Sequence, residues 1–411
     1  MEKSMACYLN AMSICCAVGD SKKTISNILF SETETMESMK RFLCYDEKFL
    51  QGSEGCYLGQ ITSRLPKIPN GYELFASRNN RIILSLYLQI SDEINTAISK
   101  YGADRIAVIL GTSTSGIAEG ETAFFYFKDT GKFPKDYNFP VQEISNGSEF
   151  LAEFLGLSNM AVTISTACSS SNKTFSHAAE MIASGICDAA IVGGVDSLCK
   201  MTVNGFNALS ALSPKLCNPF SDNRRGISIG EGGALFLMTL EPSLIEMVGV
   251  GESSDGTSMT APDPTGTGAE KALRSILQEA NITSSDICYI NLHGTATFQN
   301  DRIESKVISN IFGNNTLCSS TKPLTGHALG ASGAIEAGFC WLMLSKKYNS
   351  NQKVLPQLWD GELGKDITSI NFATIGDYLP SDSSVSYVIS NSFAFGGSNT
   401  SLLLKRNQIY D

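Results

Sequence analysis

The sequence predicts an α/β protein made of two similar halves, and three observations lead there. Short apolar runs such as 107–110, 188–196 and 234–240 alternate with stretches of helical period. That alternation is the mark of helices laid over a mostly parallel sheet. The run from Val162 to Ile164 reads as a strand, and a collar of small residues separates it from Phe175, Ala178, Ala179 and Ile182. Those four recur at i, i+3, i+4 and i+7, the spacing of one helix face. Finally, the rhythm of strand end, small residues, buried helix, Gly-Gly and apolar strand occurs twice, within 162–240 and within 326–404. Such a rhythm implies an internal duplication, divided near residue 245 into halves 1–245 and 246–411.

Composition bounds the class. A chain of 411 residues with 43% hydrophobic content and 36 glycines is large enough for two domains with a turn-rich core. A net charge of −10 argues against nucleic acid as a partner. The 12 cysteines are scattered, with no Cys-x-x-Cys pair, which fits a reduced, cytoplasmic compartment better than a disulfide framework. Lys3 and the apolar run 5–18 imitate a leader, but Tyr8, Asn10, Ser13 and the Gly19-Asp20 stop favour a first strand and turn. The longest apolar run, 333–344, carries Glu336 and is too short to span a membrane, which takes ~18 residues.

Taken in order, 1–31 reads as a strand, a glycine turn and a helix over 22–29. Residues 32–75 read as irregular, with a Gly/Ser-rich piece at 51–59. Residues 78–100 carry Ile83, Leu86, Tyr87, Ile90, Ile94, Ala97 and Ile98 on one face of a single long helix, with Arg78 and Arg81 at its exposed start. The strand 107–110 ends in Gly111-Thr112-Ser113-Thr114-Ser115-Gly116, which lacks the Gly-Lys-Ser/Thr of a phosphate loop and reads as structural. Residues 119–145 are aromatic and polar without clear period, so they read as a lid or an interface flap. In the second half, 269–281 reads as a helix, 287–291 as a strand, 326–344 as a buried helix opened by small residues, and 387–390 and 401–404 as strands.

Cys168 stands between strand and helix. A thiol there meets free backbone N–H groups and the positive end of the helix dipole, which favour the thiolate. Of three histidines, His177 falls inside the Cys168 helix and reads as structural. His293 and His327 each stand at a strand end beside glycine and threonine. Metal binding would need three or four ligands at close spacing, and the sequence offers no such cluster. One cysteine and two histidines suit a carbon–carbon bond-forming acyl transfer. The thiolate takes an acyl group as a thioester, and two imidazole N–H groups steady the enolate of a second thioester. A hydrolase needs one histidine only.

Thr166-Ala167-Cys168-Ser169-Ser170, His293-Gly294-Thr295-Ala296-Thr297 with Asn300-Asp301, Lys322 through His327 with Gly330-Ala331-Ser332-Gly333, and Asn391 through Gly397 together resemble the β-ketoacyl-acyl-carrier-protein synthases. The resemblance is to the elongating Cys-His-His branch of the thiolase superfamily and covers nearly the whole chain. It implies a thiolase fold of two αβαβα halves in a five-layered core, forming a homodimer or a heterodimer with a chain-length factor. It implies Cys168 as nucleophile, an oxyanion hole from the backbone of Cys168 and Phe395 with Phe395 as gate, and His293 and His327 in decarboxylation of malonyl carrier. It implies Lys322 as an active-site lysine paired with Glu304, Thr295 and Thr297 on the pantetheine arm, and Arg78 and Arg81 as the docking site for acyl-carrier protein. It implies no cofactor, the substrates being carried on phosphopantetheine. Glu336, inside an apolar helix, needs a partner near the site because an unpaired buried carboxylate is costly. Ala394 replaces the usual glycine before the gate, and Ser258 stands where many relatives carry histidine. A finer resemblance, carried by 111–117, Glu119, Glu121 and 358–361, is to the synthases of bacterial aryl polyene clusters. A non-catalytic chain-length factor is the alternative, disfavoured because Cys168, His293 and His327 are all present. A degradative thiolase is disfavoured because 393–399 holds no cysteine.

Overall fold

The computed structural model describes residues 6–31, 36–50, 52, 55–380 and 385–407. Lys3 and Met5 of the leader-like run and Gln51 of the Gly/Ser-rich piece lie outside them. The first half supplies β1 (Cys7–Cys16), β2 (Leu43–Asp46), β3 (Cys56–Gly59), β4 (Ile106–Gly111), β5 (Ala161–Ile164), β6 (Ala189–Asp196), β7 (Ile229–Gly230) and β8 (Gly232–Thr239). The second supplies β9 (Ile245–Ser254), β10 (Ile287–Asn291), β11 (Leu317–Ser319), β12 (Val385–Phe393) and β13 (Ser398–Asn407). Ten of these form one sheet in the order β11-β10-β12-β13-β9-β1-β8-β6-β4-β5.

That order contains the duplication. Counting only a half's own five strands, each half runs first, fifth, fourth, second, third. In the first half β1 pairs antiparallel with β8 and β8 with β6, whereas β6–β4 and β4–β5 are parallel. In the second half β9–β13 and β13–β12 are antiparallel, and β12–β10 and β10–β11 are parallel. Within the sheet, the ladder that joins the half-sheets has two residue pairs among the described residues, Cys7 with Met247 and Tyr8 with Glu246.

Strands β4, β6 and β8 are buried along their whole length, which is why they read as continuous apolar runs. Helices Ser170–Ala183 and Ser332–Leu344 pack on each other and on strands of both halves, forming the middle layer. One core cluster joins Phe175, Ala178 and Ile182 to Ile335, Phe339 and Leu342. Helices Arg78–Leu88 and Asn146–Leu155 cover the outer face of the first half-sheet, and Thr267–Glu279 with Phe298–Phe312 cover that of the second. The result is five layers, αβαβα. Among the described residues no helix is long and apolar enough to cross a membrane.

Most elements fall where the sequence places them. Helix Lys22–Leu29 begins behind Ser21, whose side chain accepts from the Thr24 N–H. Three regions differ. The apolar face expected on one helix over 78–100 is shared by two, Arg78–Leu88 and Ser91–Tyr101, because the chain turns at Ile90 (φ −134°). Ile90 and Ile94 still enter the same core, so the face survives the break. Residues 32–75 are not wholly irregular: β2 and β3 pair, and with β7 they make a three-stranded sheet. The first part of the aromatic stretch 119–145 lies in helix Ile117–Thr130, and a short 3-10 turn, Phe139–Gln142, follows further on. The rings show no helical period because they do not face a core: Phe124 and Tyr126 on the helix and Phe133 and Phe139 beyond it are exposed, and Phe127 stacks on Phe133 at 4.7 Å.

Candidate active site

Strand β5 ends at Ile164 and the next helix starts at Ser170, so Cys168 sits in a tight turn between them. Ala167 takes φ +52° there, and the turn is tied by Thr166 N–H donating to Ser170 Oγ (2.9 Å) and Ser169 Oγ–H donating to Thr166 O (2.8 Å). The collar residues are small because the end of β4 abuts the helix start. A Cβ on Gly111 would stand 2.5 Å from Ser171 N. Asp196, at the end of β6, fastens the neighbouring loop: it accepts from Thr112 Oγ1 (2.7 Å), Ser113 N (2.7 Å) and Thr114 N (2.8 Å), and from Ala331 N (3.0 Å) across the half-boundary. Loop 111–116 is therefore structural, as its letters suggest. Asp196 went unnoticed in the sequence because its partners are far along the chain.

His327 follows Gly326, which adopts φ +69°, and its N–H donates to Ser228 O at 2.7 Å. The ring bridges Ser332 Oγ (2.9 Å from Nδ1) and Cys168 Sγ (3.0 Å from Nε2). With the Ser332 hydroxyl donating to Nδ1, the ring proton is assigned to Nε2, facing the sulfur. His293 follows β10, and its ring lies 5.4 Å from that of His327, nearly perpendicular to it. Both rings are buried, and burial first, then Lys322, holds their pKa values well below the usual histidine range. At neutral pH both are uncharged imidazoles, each able to donate one N–H.

The structure brings Cys168, His293 and His327 together, their ligating atoms all within 4.8 Å of one another. Spacing along the chain had suggested no three-ligand cluster; the fold makes one. The expectation of a favoured thiolate is also corrected. Cys168 is only 5% exposed, and burial pushes its thiol up to about 11, against the lowering effects of Lys322 and the Phe395 N–H. The resting sulfur is a thiol beside a neutral imidazole.

Lys322 does not pair with Glu304. Its Nζ donates to Glu336 Oε1 at 2.6 Å, both side chains being buried, so Glu336 has the partner its apolar helix demands. Glu304 instead receives the backbone N–H groups of His293 and Gly294, each at 2.7 Å, and so sets the strand end that carries His293. Burial raises it to about 7. A cavity of about 350 Å³ opens on Cys168, His293 and His327 and is lined also by Thr295, Thr297, Phe393, Ala394 and Phe395. Thr295 and Thr297 hydroxyls are 3.0 Å apart. The Phe395 ring packs on Phe206 at 5.5 Å. Ala394 N–H donates to Ser398 O (2.9 Å), and Ser258 Oγ accepts from Thr260 and Ala261 N–H, so both departures from the usual letters are accommodated in closed turns. His177 lies away from this cavity, on a surface cleft.

Arg78 and Arg81 are half-buried, not freely exposed. Arg78 pairs with the buried Glu231 and donates to Ile61 O at 3.2 Å; Arg81 donates to Pro66 O (2.8 Å) and Leu65 O (3.0 Å). Neither lines the cavity.

Residues 77–243 match the family model "Beta-ketoacyl synthase, N-terminal domain" and residues 244–353 match "Beta-ketoacyl synthase, C-terminal domain". The chain belongs to the β-ketoacyl synthase family. It is similar to a "3-oxoacyl-[acyl-carrier-protein] synthase 2" of Staphylococcus aureus (strain COL), 33% identical over 333 residues that cover 75% of this chain and 77% of that one. It is also 32% identical to the protein of that name from Vibrio harveyi, covering 78% and 80%. Among solved structures, a chain of "Ketosynthase (ApeO) in Complex with its Chain Length Factor (ApeC)" from Xenorhabdus doucetiae superposes with a TM-score of 0.88 at 40% identity, covering 99% of both chains. As a β-ketoacyl synthase, the protein is an acyltransferase that forms carbon–carbon bonds, with the thiolase fold.

Proposed function

We propose that this β-ketoacyl synthase condenses an acyl-carrier protein with malonyl-carrier protein, and that Cys168, His293 and His327 carry the reaction. The observation behind the reading is their convergence at the floor of one cavity. Cys168 attacks the acyl thioester; the backbone N–H groups of Cys168 and Phe395 steady the oxyanion; the carrier thiol leaves with the proton. The malonyl thioester then loses CO₂, and its enolate oxygen is held by one N–H of each neutral imidazole. The enolate carbon attacks the acyl carbonyl and expels the Cys168 sulfur, which regains a proton. A high resting thiol pKa is compatible with this, since charge is needed on sulfur only while oxyanion donors and the helix start are in contact with the reacting groups. Thr295 and Thr297 line the path of the pantetheine arm, and Phe395, resting on Phe206, gates it. Lys322 acts through Glu336, and Glu304 through the backbone of His293. The family reaction needs no metal or separate cofactor.

The reading extends to partners and setting. The catalytic unit is the pair of halves 1–245 and 246–411 in a cytoplasmic enzyme, assembled as a homodimer or with a chain-length-factor-like chain. The exposed rings of 124–139 suit such a contact. The letters of 111–117 and 358–361, with the likeness to the ApeO–ApeC complex, favour an aryl polyene pathway over housekeeping fatty acid synthesis. Cys168→Ala should abolish the acyl adduct seen by intact mass after mixing with acyl-carrier protein, while malonyl decarboxylation persists. A stable adduct on that variant would assign the nucleophile elsewhere.

A further inference from the structure

Arg225 is the only charged side chain lining the active-site cavity among the described residues, and it stands at the exposed end while Cys168, His293 and His327 lie buried at the other. Its neighbour shows what a committed arginine looks like here. Arg224 is buried, and both of its terminal nitrogens are engaged, Nη2 by Asp366 Oδ2 (2.6 Å) and Phe298 O (3.2 Å) and Nη1 by Ser221 O (2.9 Å). Arg225 has no carboxylate partner among the described residues. Only its Nη1 is engaged, with the carbonyls of Arg224 (2.7 Å) and Asp222 (3.3 Å). Nε–H and the Nη2 pair donate to nothing among the described residues. The backbone that follows is pinned, with Gly226 N–H on Ala296 O (2.9 Å) and Ile227 N–H on Ala211 O (2.8 Å). The guanidinium lies 5.9 Å from the ring of Phe298, another rim residue. A fixed arginine with unused donors, at the mouth of an otherwise uncharged cavity, is a site for a single anion.

We infer that Arg225 binds the phosphate of the phosphopantetheine arm and so registers the thioester over Cys168, a role that rests on the ketosynthase reading. A substrate thioester delivered to this cavity trails a phosphate on its arm, and the cavity offers that phosphate one cation. The carrier's own acidic side chains are a different source of the same charge, but they stay outside the cavity, whereas Arg225 lines it. Arg225 is a binding and positioning residue and touches no reacting atom.

The test compares acylation of Cys168, followed by intact mass, from three donors of one acyl group: the pantetheine thioester, the phosphopantetheine thioester and the loaded carrier protein. The wild-type enzyme should prefer the phosphorylated arm over the bare one by roughly three- to tenfold, the worth of one charge-assisted hydrogen bond discounted for exposure. Arg225→Gln should collapse that ratio towards one through KM, and Arg225→Lys should restore part of it. An undiminished ratio in Arg225→Gln overturns the assignment. So does a loss confined to the loaded carrier, which would make Arg225 a reader of the carrier surface. Failure of all three donors to acylate the wild-type enzyme would instead overturn the ketosynthase reading beneath it.

Discussion

The two halves share strand order, strand direction and a central buried helix, yet they fill the same position with different chemistry. In the first half the loop into helix Ser170–Ala183 presents a nucleophile, and the helix opens with Ser170, Ser171 and Asn172. In the second half the loop into Ser332–Leu344 presents His327, and all thirteen helix residues are buried. The duplicated scaffold thus brings two unlike loops face to face at its centre, and bonds such as Cys168–His327 and Asp196–Ala331 cross between them. Duplication supplies placement, and the divergence of the loops supplies the division of labour: sulfur from one half, imidazoles from the other.

The most damaging way to break that division is to remove the second half's donors. His293→Ala or His327→Ala should lower condensation by ~10²–10³ while Cys168 still accepts an acyl group. Single-turnover mass spectrometry separates the steps. If acylation falls as far as condensation, the imidazoles serve the sulfur and the division is false.

Each half also buries a carboxylate against a cation, and the two pairs differ in depth. Lys322 and Glu336 are both 2% exposed at the side chain, whereas Arg78 is 34% exposed over Glu231 at 1%. Removing one member of a fully buried pair costs about 3–5 kcal/mol. Glu231 also accepts from Ile61 and Leu198 N–H, so it keeps two partners when Arg78 is removed, and the partly exposed Arg78 leaves a space that water can enter. Lys322→Ala should therefore cost about 3–5 kcal/mol in denaturant unfolding, and Arg78→Ala roughly 1–3 kcal/mol. Lys322→Met with Glu336→Gln together should recover much of the first loss. Equal losses for Arg78 and Lys322 would mean that depth of burial does not distinguish the pairs.

These pairs also mark where sequence reading stops. Apolar runs and collars revealed the strands, the two central helices and the order of the halves, because burial on both faces writes itself as uninterrupted hydrophobicity. Cys168, His293 and His327 were legible from their small-residue settings. Partners were not. Lys322 has Glu304 and Glu336 at comparable chain separations, and the fold, not the letters, brings it to Glu336. Arg78 looked free because the letters around it do not reveal Glu231, 153 residues away. The break at Ile90 was hidden because the apolar face continues across it.

Glu304 offers a finer test of the second half. Burial raises its carboxyl to about 7 from an ordinary 4.5, so folding favours the protonated form. Its contribution is complete below about 4.5 and is lost as pH rises through about 7. Stability should decline over that window, with Asp301, raised to about 6, adding to the decline. Glu304→Gln should be less stable overall, having one fewer acceptor for the His293 and Gly294 N–H groups, but its melting temperature should fall less steeply with pH. A slope equal to that of wild type would show that Glu304 keeps its charge throughout.

The smallest expected effect concerns the first half's outer surface. Arg81 makes no ion pair among the described residues; its donors rest on Pro66 and Leu65 carbonyls, and the acid that feels its charge is Glu119, which is also held by the Arg78 N–H. We propose Arg81 alone as the docking contact for an acidic carrier, since the Arg78 guanidinium is taken up by Glu231. Rim charges act chiefly on association and its salt dependence. Arg81→Glu should slow acylation by the loaded carrier roughly two- to fivefold at low salt relative to a pantetheine thioester, and the gap should close near 1 M salt, where screening reaches about 3 Å. A loss that is equal for both donors and indifferent to salt would show that Arg81 only holds the 65–66 segment in place. Docking would then belong wholly to the cavity rim.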